Sequence, residues 1–243
     1  MSANSASLAA EAYTVVRRRI VRGEMAIGQS VSRRKLAAEL GMSFLPVSEA
    51  LLRLEFEGML ESRPRAGTRV RIPTREDVKG HYLVREILEA EAARRFAAHA
   101  TKSDRAGLMK MAAKVDALST RKDRGPYLAL HHRLHSRIAV CAKCEALSNV
   151  IEQTCALSST WFCLLPRSTA ASTHRHRDLA KALVTSGPDD AAAVMREHVR
   201  YSEREALERL KPYFRIKKAH GRRFFRSERA QARHMTRGSH ADA

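Results

Sequence analysis

The most informative part of the chain is residues 32–72, which read SRRKLAAELGMSFLPVSEALLRLEFEGMLESRPRAGTRVRI. Ser32 is a suitable N-cap for a short helix, and Gly41 is suited to end that helix in a tight turn. Ser43 can cap a second helix, which continues to Gly58 and tolerates the proline in its first turn. The apolar residues that share one face of this second helix are Val47, Ala50, Leu51 and Leu54. Two helices joined by a glycine turn predict a helix-turn-helix.

A hairpin and an earlier helix flank this pair of helices. Residues 59–62 and 68–72 bracket Pro64-Arg65-Ala66-Gly67, which predicts a short hairpin, or wing, beside the second helix. Upstream, residues 8–22 place apolar side chains at helical spacing and predict a first helix. Residues 1–74 are therefore predicted to form a winged helix-turn-helix domain.

The remainder of the chain has a helical pattern followed by a basic end. Residues 75–210 contain successive amphipathic stretches and no strand pattern, which predicts an antiparallel helical bundle. From residue 211 the sequence becomes basic and loses its periodicity, so residues 211–243 are predicted to be a flexible tail. The breaks between the stretches are Gly125-Pro126, Pro166 and Gly187-Pro188. The predicted fold class is therefore mainly α.

The overall charge favours an anionic partner. The chain carries 45 Lys and Arg against 26 Asp and Glu, a formal net charge of +19, and such a balance is typical of proteins that bind nucleic acid. No stretch approaches the roughly 20 apolar residues of a membrane span, and the N-terminus lacks the features of a signal peptide. We therefore expect a cytoplasmic protein without a membrane segment. The four cysteines are expected to be reduced thiols that fill a core.

The segment from Ile20 to Ile72 resembles the winged-helix domain of the GntR family of transcription regulators. The resemblance rests on LAAELGMS at 36–43, PVSEALLRLEFEGML at 46–60 and RPRAGTRV at 63–70. It implies a homodimer that binds a double-stranded DNA operator. The residues expected at the DNA are Arg33, Arg34, Ser43, Phe44, Ser48, Arg53, Arg63, Arg65, Gly67 and Arg69. The alternative interpretation is that these arginines are ordinary solvated charges.

Two positions depart from the pattern of the family. It usually has arginines where this chain has Phe44 and Ser48, and each lost guanine contact would forfeit about 1–3 kcal/mol of base discrimination. We therefore expect an operator that differs from the usual one of the family. The alternative is that phosphate contacts and the basic tail supply the affinity.

Four of the 11 histidines predict a metal site. His131 and His135 are separated by one helical turn and share a face, and His176 and His198 follow later in the chain. Neutral imidazole is a good ligand for zinc and similar ions. Spacing alone leaves open whether these are ligands or scattered surface histidines.

A second resemblance supports the ligand interpretation. Residues 75–210 look like the FCD effector domain of the FadR subfamily, whose metal-binding members carry an Asp-x3-His pair and two later histidines. The resemblance places His135, His176 and His198 on the histidine positions and His131 on the Asp position. It implies a divalent metal, expected to be Zn with Ni or Mn as alternatives. Four histidines leave such a site at +2 instead of +1, which favours a small carboxylic acid as effector.

Arg85 is the expected partner of that effector. The resemblance places it where an arginine faces the cavity and can pair with a ligand carboxylate. The alternative is a surface arginine paired with Glu89 at the i, i+4 spacing.

These patterns together predict a transcription regulator controlled by a metal-held carboxylate, and not an enzyme. One alternative is a metal-dependent hydrolase with nucleic-acid affinity, although the HHRLH sequence lacks the glutamate of an HExxH motif. Another is a nonspecific nucleic-acid binder in which the basic tail dominates.

Overall fold

The structure is a computed structural model of the 243-residue chain and confirms a mainly helical fold. It describes residues 2–65, 67–119, 121, 125–163 and 176–237, with side chains for 7–65, 67–119, 121, 125–154 and 176–215. Pro166 and His174, with the side chains of Cys155 and Cys163, lie outside these ranges. Cys141 is buried and Cys144 is half-buried, and both are free thiols.

The N-terminal elements form three helices and a small sheet. In chain order they are α1 (Ser2–Val21), β1 (Ser30–Val31), α2 (Arg33–Leu40), α3 (Phe44–Phe56), β2 (Leu60–Arg63) and β3 (Gly67–Val70). The predicted helices and hairpin are confirmed. The sheet has the order β1-β3-β2 and is antiparallel, with Leu60 opposite Val70 and Ser30 opposite Arg69. The sequence did not predict β1, because two residues are too few to show a strand period.

Local chemistry explains where α2 and α3 begin and end. The Ser32 hydroxyl accepts a hydrogen bond from the Lys35 amide at 3.3 Å, and Gly41 ends α2 in the left-handed region at φ 63°. Ser43 occupies the N-cap position of α3, but its side chain makes no capping hydrogen bond. The predicted apolar stripe of α3 is buried against α1. This packing fixes which face of α3 points to solvent.

The second set of elements is all helical. It comprises α4 (Arg75–His99), α5 (Lys102–Leu118), α6 (Gly125–Cys141), α7 (Glu145–Cys163), α8 (His176–Thr185) and α9 (Pro188–Arg237). Thr74 and Thr101 form capping boxes with Asp77 and Asp104 and so define the starts of α4 and α5. The α4 and α9 helices pack along each other, and a large apolar core extends from Val78 to Leu210. Across the described ranges, every helix is too short or too polar to span a bilayer.

The described part of the predicted flexible tail has a helical backbone. The backbone of α9 continues without a break through Pro212 to Arg237. Between Pro212 and Arg237 the sequence is rich in Arg and also contains Ala and Lys, all of which are good helix formers. Its loss of apolar periodicity removes a packing face but does not prevent a helical backbone.

Candidate functional site

The structure brings the four predicted histidines together. His131 and His135 project from α6, His176 begins α8, and His198 lies in α9. Each offers a ring nitrogen, and these nitrogen atoms all lie within 4.8 Å of one another. His135, His176 and His198 are buried, and His131 is half-buried with its ring stacked on Tyr127. These four histidines are therefore clustered, and the alternative of scattered surface histidines is excluded.

Two carboxylates hold the outer nitrogens of two of these rings. The Nδ1 atom of His135 lies 2.5 Å from Glu89 Oε2, and Nδ1 of His176 lies 3.2 Å from Asp116 Oδ1. Asp116 also accepts hydrogen bonds from the backbone amides of His176 and Arg177, at 2.9 and 3.1 Å. Such carboxylate–histidine pairs fix the ring orientation and the tautomer at metal sites.

The inner nitrogens of the same two rings have no such contact. Nε2 of His135 and Nε2 of His176 are buried, and neither has a hydrogen-bond partner among the described residues. A buried polar atom without a partner costs about 1–3 kcal/mol. A metal ion would remove this cost, since it accepts the lone pair that each ring directs inward.

Burial favours the neutral form of the His131 and His135 rings. Burial lowers the pKa of His135, and burial together with the neighbouring imidazoles lowers the pKa of His131 well below its usual value. Burial alone would raise the pKa of Glu89, but Arg85 and His135 outweigh it and lower that pKa. Glu89 is therefore an ionised acceptor, and His135 donates to it through Nδ1 and presents a lone pair at Nε2.

These observations satisfy the requirements of a divalent metal. Zinc–nitrogen bonds of about 2.0–2.1 Å require ligand atoms that are roughly 3–4 Å apart, so a small inward movement closes a site of this size. The predicted charge of +2 needs correction because it omitted three nearby groups. With Glu89, Asp116 and Arg85 included, the centre and its neighbours carry +1 around a divalent ion.

Arg85 is buried, so its interpretation as a surface arginine is wrong. It is 4% exposed and its Nε donates to Glu89 Oε1 at 2.6 Å, which makes the expected i, i+4 pair a buried one. Its guanidinium carbon lies 5.1 Å from the ring centroid of Tyr82. Arg85 thus orients Glu89, which in turn orients His135.

The residues predicted for DNA binding lie on α2, on α3 and in the wing. The exposed ones are Arg34, Ser43, Phe44, Arg53, Arg65 and Gly67, whereas Arg33, Ser48, Arg63 and Arg69 are half-buried. Arg34 and Arg65 make no ion pair within the described ranges. Arg65 and Gly67 adopt positive φ angles of 62° and 76° in the turn of the wing.

Three of the predicted arginines are engaged with acidic residues of the same domain. Arg53 donates to Glu57 at 3.2 Å and lies 3.9 Å above the ring of Tyr13. Arg69 donates to Glu61 at 2.7 Å, and Arg63 lies 3.8 Å from the same carboxylate. A phosphate would have to compete with these carboxylates, so Arg34 and Arg65 are the more available cations.

Comparisons with known proteins agree with this architecture. The family model for bacterial regulatory proteins of the gntR family matches residues 8–70, and the FCD domain model matches residues 81–201. An HTH-type transcriptional regulator in the TAR-I ttuE-ttuC' intergenic region of Agrobacterium vitis is 31% identical over 145 residues. The match covers 58% of this chain and 84% of that protein. The chain belongs to the GntR family.

Other similarities of this GntR-family chain are more distant. It is 26% identical over 140 residues to the HTH-type transcriptional repressor RspR of Escherichia coli strain K12, over 58% of this chain and 61% of RspR. The match therefore spans less than two thirds of that relative. A GntR transcriptional regulator from Rhodococcus sp. RHA1 has the same fold, with TM-score 0.69 and 20% identity over 83% of this chain and 98% of that one.

Sequence reasoning missed two functional residues of this GntR-family chain. Glu89 was considered only as a surface partner of Arg85, and Asp116 gave no signal at all. Each lies far along the chain from the histidine that it contacts, by 46 residues for Glu89 and 60 for Asp116. The one hint for Glu89 was its place on the inner face of a helix. An acidic side chain is rarely buried without a partner, so this position indicated a buried partner for Glu89.

Proposed function

We propose that this GntR-family chain is a sequence-specific DNA-binding transcription regulator, and that a small carboxylate at a histidine-held divalent metal controls its operator affinity. The observation that carries the proposal is the presence of both parts in one chain. An exposed, basic helix-turn-helix with a wing lies in residues 1–74, and a buried four-histidine cluster lies in residues 75–210. Residues 211–243 add a further basic segment.

The DNA-binding half of the proposal rests on exposure and charge. The start of a recognition helix contacts base edges, while basic groups around it position the protein on phosphates. The start of α3 is exposed, and Arg34 in α2 and Arg65 in the wing are exposed cations without ion pairs among the described residues. We assign phosphate contacts to these two arginines and weaker ones to Arg33, Arg63 and Arg69. As a homodimer, the protein would address half-sites about one DNA turn apart.

The effector half rests on the cluster and its neighbours. Because four imidazoles fill a tetrahedral shell, a divalent ion held by all four would bind a carboxylate oxygen by expanding to five-coordinate. The chain itself provides imidazoles oriented by carboxylates, and Arg85 offsets part of the negative charge of Glu89 and Asp116. We therefore assign a small carboxylic acid as the effector and Zn as the metal, with Ni and Mn as alternatives. A cytoplasmic location fits a DNA-binding regulator.

The arrangement of carboxylates favours a regulator over a hydrolase. A hydrolase of this kind needs a general base beside the metal-activated water. Glu89 and Asp116 are the carboxylates that contact the cluster, and both are engaged with the outer nitrogens of histidines. Their geometry orients ligands instead of accepting a proton from water.

Capture of genomic DNA fragments by the purified full chain tests the DNA-binding half. We expect the captured fragments to share a motif. Arg34→Ala should weaken binding to every sequence, whereas Arg196→Ala, which removes an equal charge from the exposed face of α9, should leave binding unchanged. Fragments without a common motif, with equal affinity for random DNA at physiological salt, would mean that the protein binds nucleic acid nonspecifically.

Metal content and operator affinity test the effector half separately. We expect about one divalent ion per chain, lost in His176→Ala and retained in His132→Ala. His132 is a matched control because it neighbours His131 but directs Nε2 to the Glu152 carbonyl, at 3.4 Å. Small carboxylates should then change operator affinity only in the metal-loaded protein. If the purified protein contains no stoichiometric Zn, Ni or Mn, the proposal of a metal-held effector is wrong. The DNA-binding proposal would be unaffected.

A further inference from the structure

The exposed start of α3 is apolar. Phe44 is the first residue of the helix and is 54% exposed, and Leu45 follows it at 61%. The first turn carries no acidic residue, and its proline and Val47 are buried. The side chains that this end of the helix presents to solvent are therefore a phenyl ring and an isobutyl group.

The next turn of α3 carries two polar side chains, Ser48 and the exposed, anionic Glu49, which would be repelled by DNA phosphates. The Ser48 hydroxyl donates to the Phe44 carbonyl at 2.9 Å, back along its own helix, and Ser48 is half-buried. Ser43 stands just before the helix, at its N-cap. Phe44 and Leu45 are therefore the exposed side chains in the first turn of α3, while the available cations, Arg34 and Arg65, lie outside this helix.

The chemistry of a DNA groove limits what such side chains can contact. Base edges in the major groove present nitrogen and oxygen atoms and one apolar group, the C5-methyl of thymine. An apolar side chain placed over the polar atoms would exclude water from them without replacing the lost hydrogen bonds, which costs about 1–3 kcal/mol per group. Contact with a thymine methyl avoids this cost and buries apolar surface on both partners.

We propose that Phe44 and Leu45 determine operator specificity by apolar contact with thymine methyl groups in the major groove. The proposal rests on the DNA-binding function proposed above and names the feature of the operator that this chain reads. Arginines at these positions would select guanine. The apolar pair instead selects thymine at the corresponding steps of each half-site.

The test removes single methyl groups from the operator obtained by fragment capture. Each thymine of one half-site is replaced in turn by deoxyuridine, which lacks only the C5-methyl, and the Kd of the full chain is measured at constant salt. For a contacted thymine we expect Kd to rise about fourfold, the factor that corresponds to one buried CH₂-sized group. Thymines outside the contacted steps should show no change.

Protein variants assign the effect to the two side chains. Phe44→Ala or Leu45→Ala should bind the thymine and uracil forms equally at the step that each residue contacts. Phe56→Ala is the matched control, because Phe56 lies on the same helix, is 94% exposed and stands at the opposite end from Phe44. It should keep the full preference for thymine.

The possible failures are distinguishable. If wild-type protein binds its operator tightly but tolerates every uracil substitution, or if both alanine variants retain the preference, the thymine inference is wrong and the regulator proposal stands. A captured motif without thymine would overturn it equally. If capture yields no motif, the DNA-binding proposal itself fails, and the thymine inference fails with it.

Discussion

Glu89 connects the stability of the helical domain to its metal affinity. Glu89 is 2% exposed, and its carboxylate accepts hydrogen bonds from Arg85 Nε at 2.6 Å and from His135 Nδ1 at 2.5 Å. Glu89→Gln keeps the shape of the side chain but removes its charge. The change leaves the buried guanidinium without its counter-charge and gives His135 a weaker acceptor.

Two losses of different size follow. Changes to residues that orient metal ligands typically cost 10–100-fold in metal affinity, and we expect a loss of that order for zinc. Removing one partner of a buried ion pair typically costs 3–5 kcal/mol. Because glutamine retains one acceptor oxygen, we expect the lower end, a loss of about 3 kcal/mol in the unfolding free energy of the metal-free protein.

Denaturant unfolding of metal-free protein and a chelator competition assay for zinc measure the two effects. Glu91→Gln is a control on the same helix, because the ion pairs of Glu91 with Arg94 and Arg95 are exposed and screened by solvent. Arg85→Met combined with Glu89→Leu replaces the buried pair by apolar groups. The double variant should recover stability but not zinc affinity.

Unchanged zinc affinity in Glu89→Gln would refute the reasoning, since Glu89 would then not position His135. A recovery of zinc affinity in the double variant would refute it too, because the loss in Glu89→Gln would then reflect only reduced stability.

Three further predictions concern stability. Burial and the nearby Arg85 lower the pKa of His81 from 6.5 to about 4, so the unfolded chain takes up a proton first as the pH falls. The stabilisation is complete above pH 6.5, and metal-free protein should lose about 2 kcal/mol through His81 between pH 8 and pH 5 in urea unfolding; His81→Asn should remove this part of the loss. Arg105 donates to three main-chain carbonyls at the ends of α4 and α8, so Arg105→Met should cost about 2–3 kcal/mol in thermal unfolding, against less than about 0.5 kcal/mol for the exposed Lys110→Met. Thr101→Ala removes the capping box of α5 and should cost about 1 kcal/mol; an unchanged melting temperature would show that the cap contributes nothing.

Local signals were sufficient for most of the DNA-binding domain. Ser32 and Gly41 mark the ends of α2 because capping depends on groups within a few residues, and the apolar spacing of α3 gave its buried face directly. The strand β1 was missed because its pairing with β3, nearly forty residues away, is the only feature that defines it. The helical backbone after residue 210 was not predicted, because the segment lacks the apolar periodicity by which helices are recognised in a sequence.

The histidine cluster could be predicted from the sequence, but the carboxylates that contact its rings could not. Histidine is an informative residue type, and the one-turn spacing of His131 and His135 places both rings on one face. Glu89 and Asp116 belong to residue types that are common on every helix, and only the packing of α4 and α5 against the cluster selects them. The burial of Arg85 could not be predicted for the same reason. An i, i+4 pair has the same sequence spacing on the buried face of a helix as on the exposed face.

The helix α4 joins the wing to the histidines as a single rod. It starts at Arg75, only five residues after β3, and Arg71 at the base of the wing pairs with Asp77 in its first turn at 3.1 Å. Glu89 lies about 21 Å further along the same axis, at 1.5 Å per residue. A tilt of about 5° at that end would displace the other by about 2 Å over this length. If α4 moves as one rigid helix, a small rearrangement at Glu89 would change the position of the wing by about 2 Å.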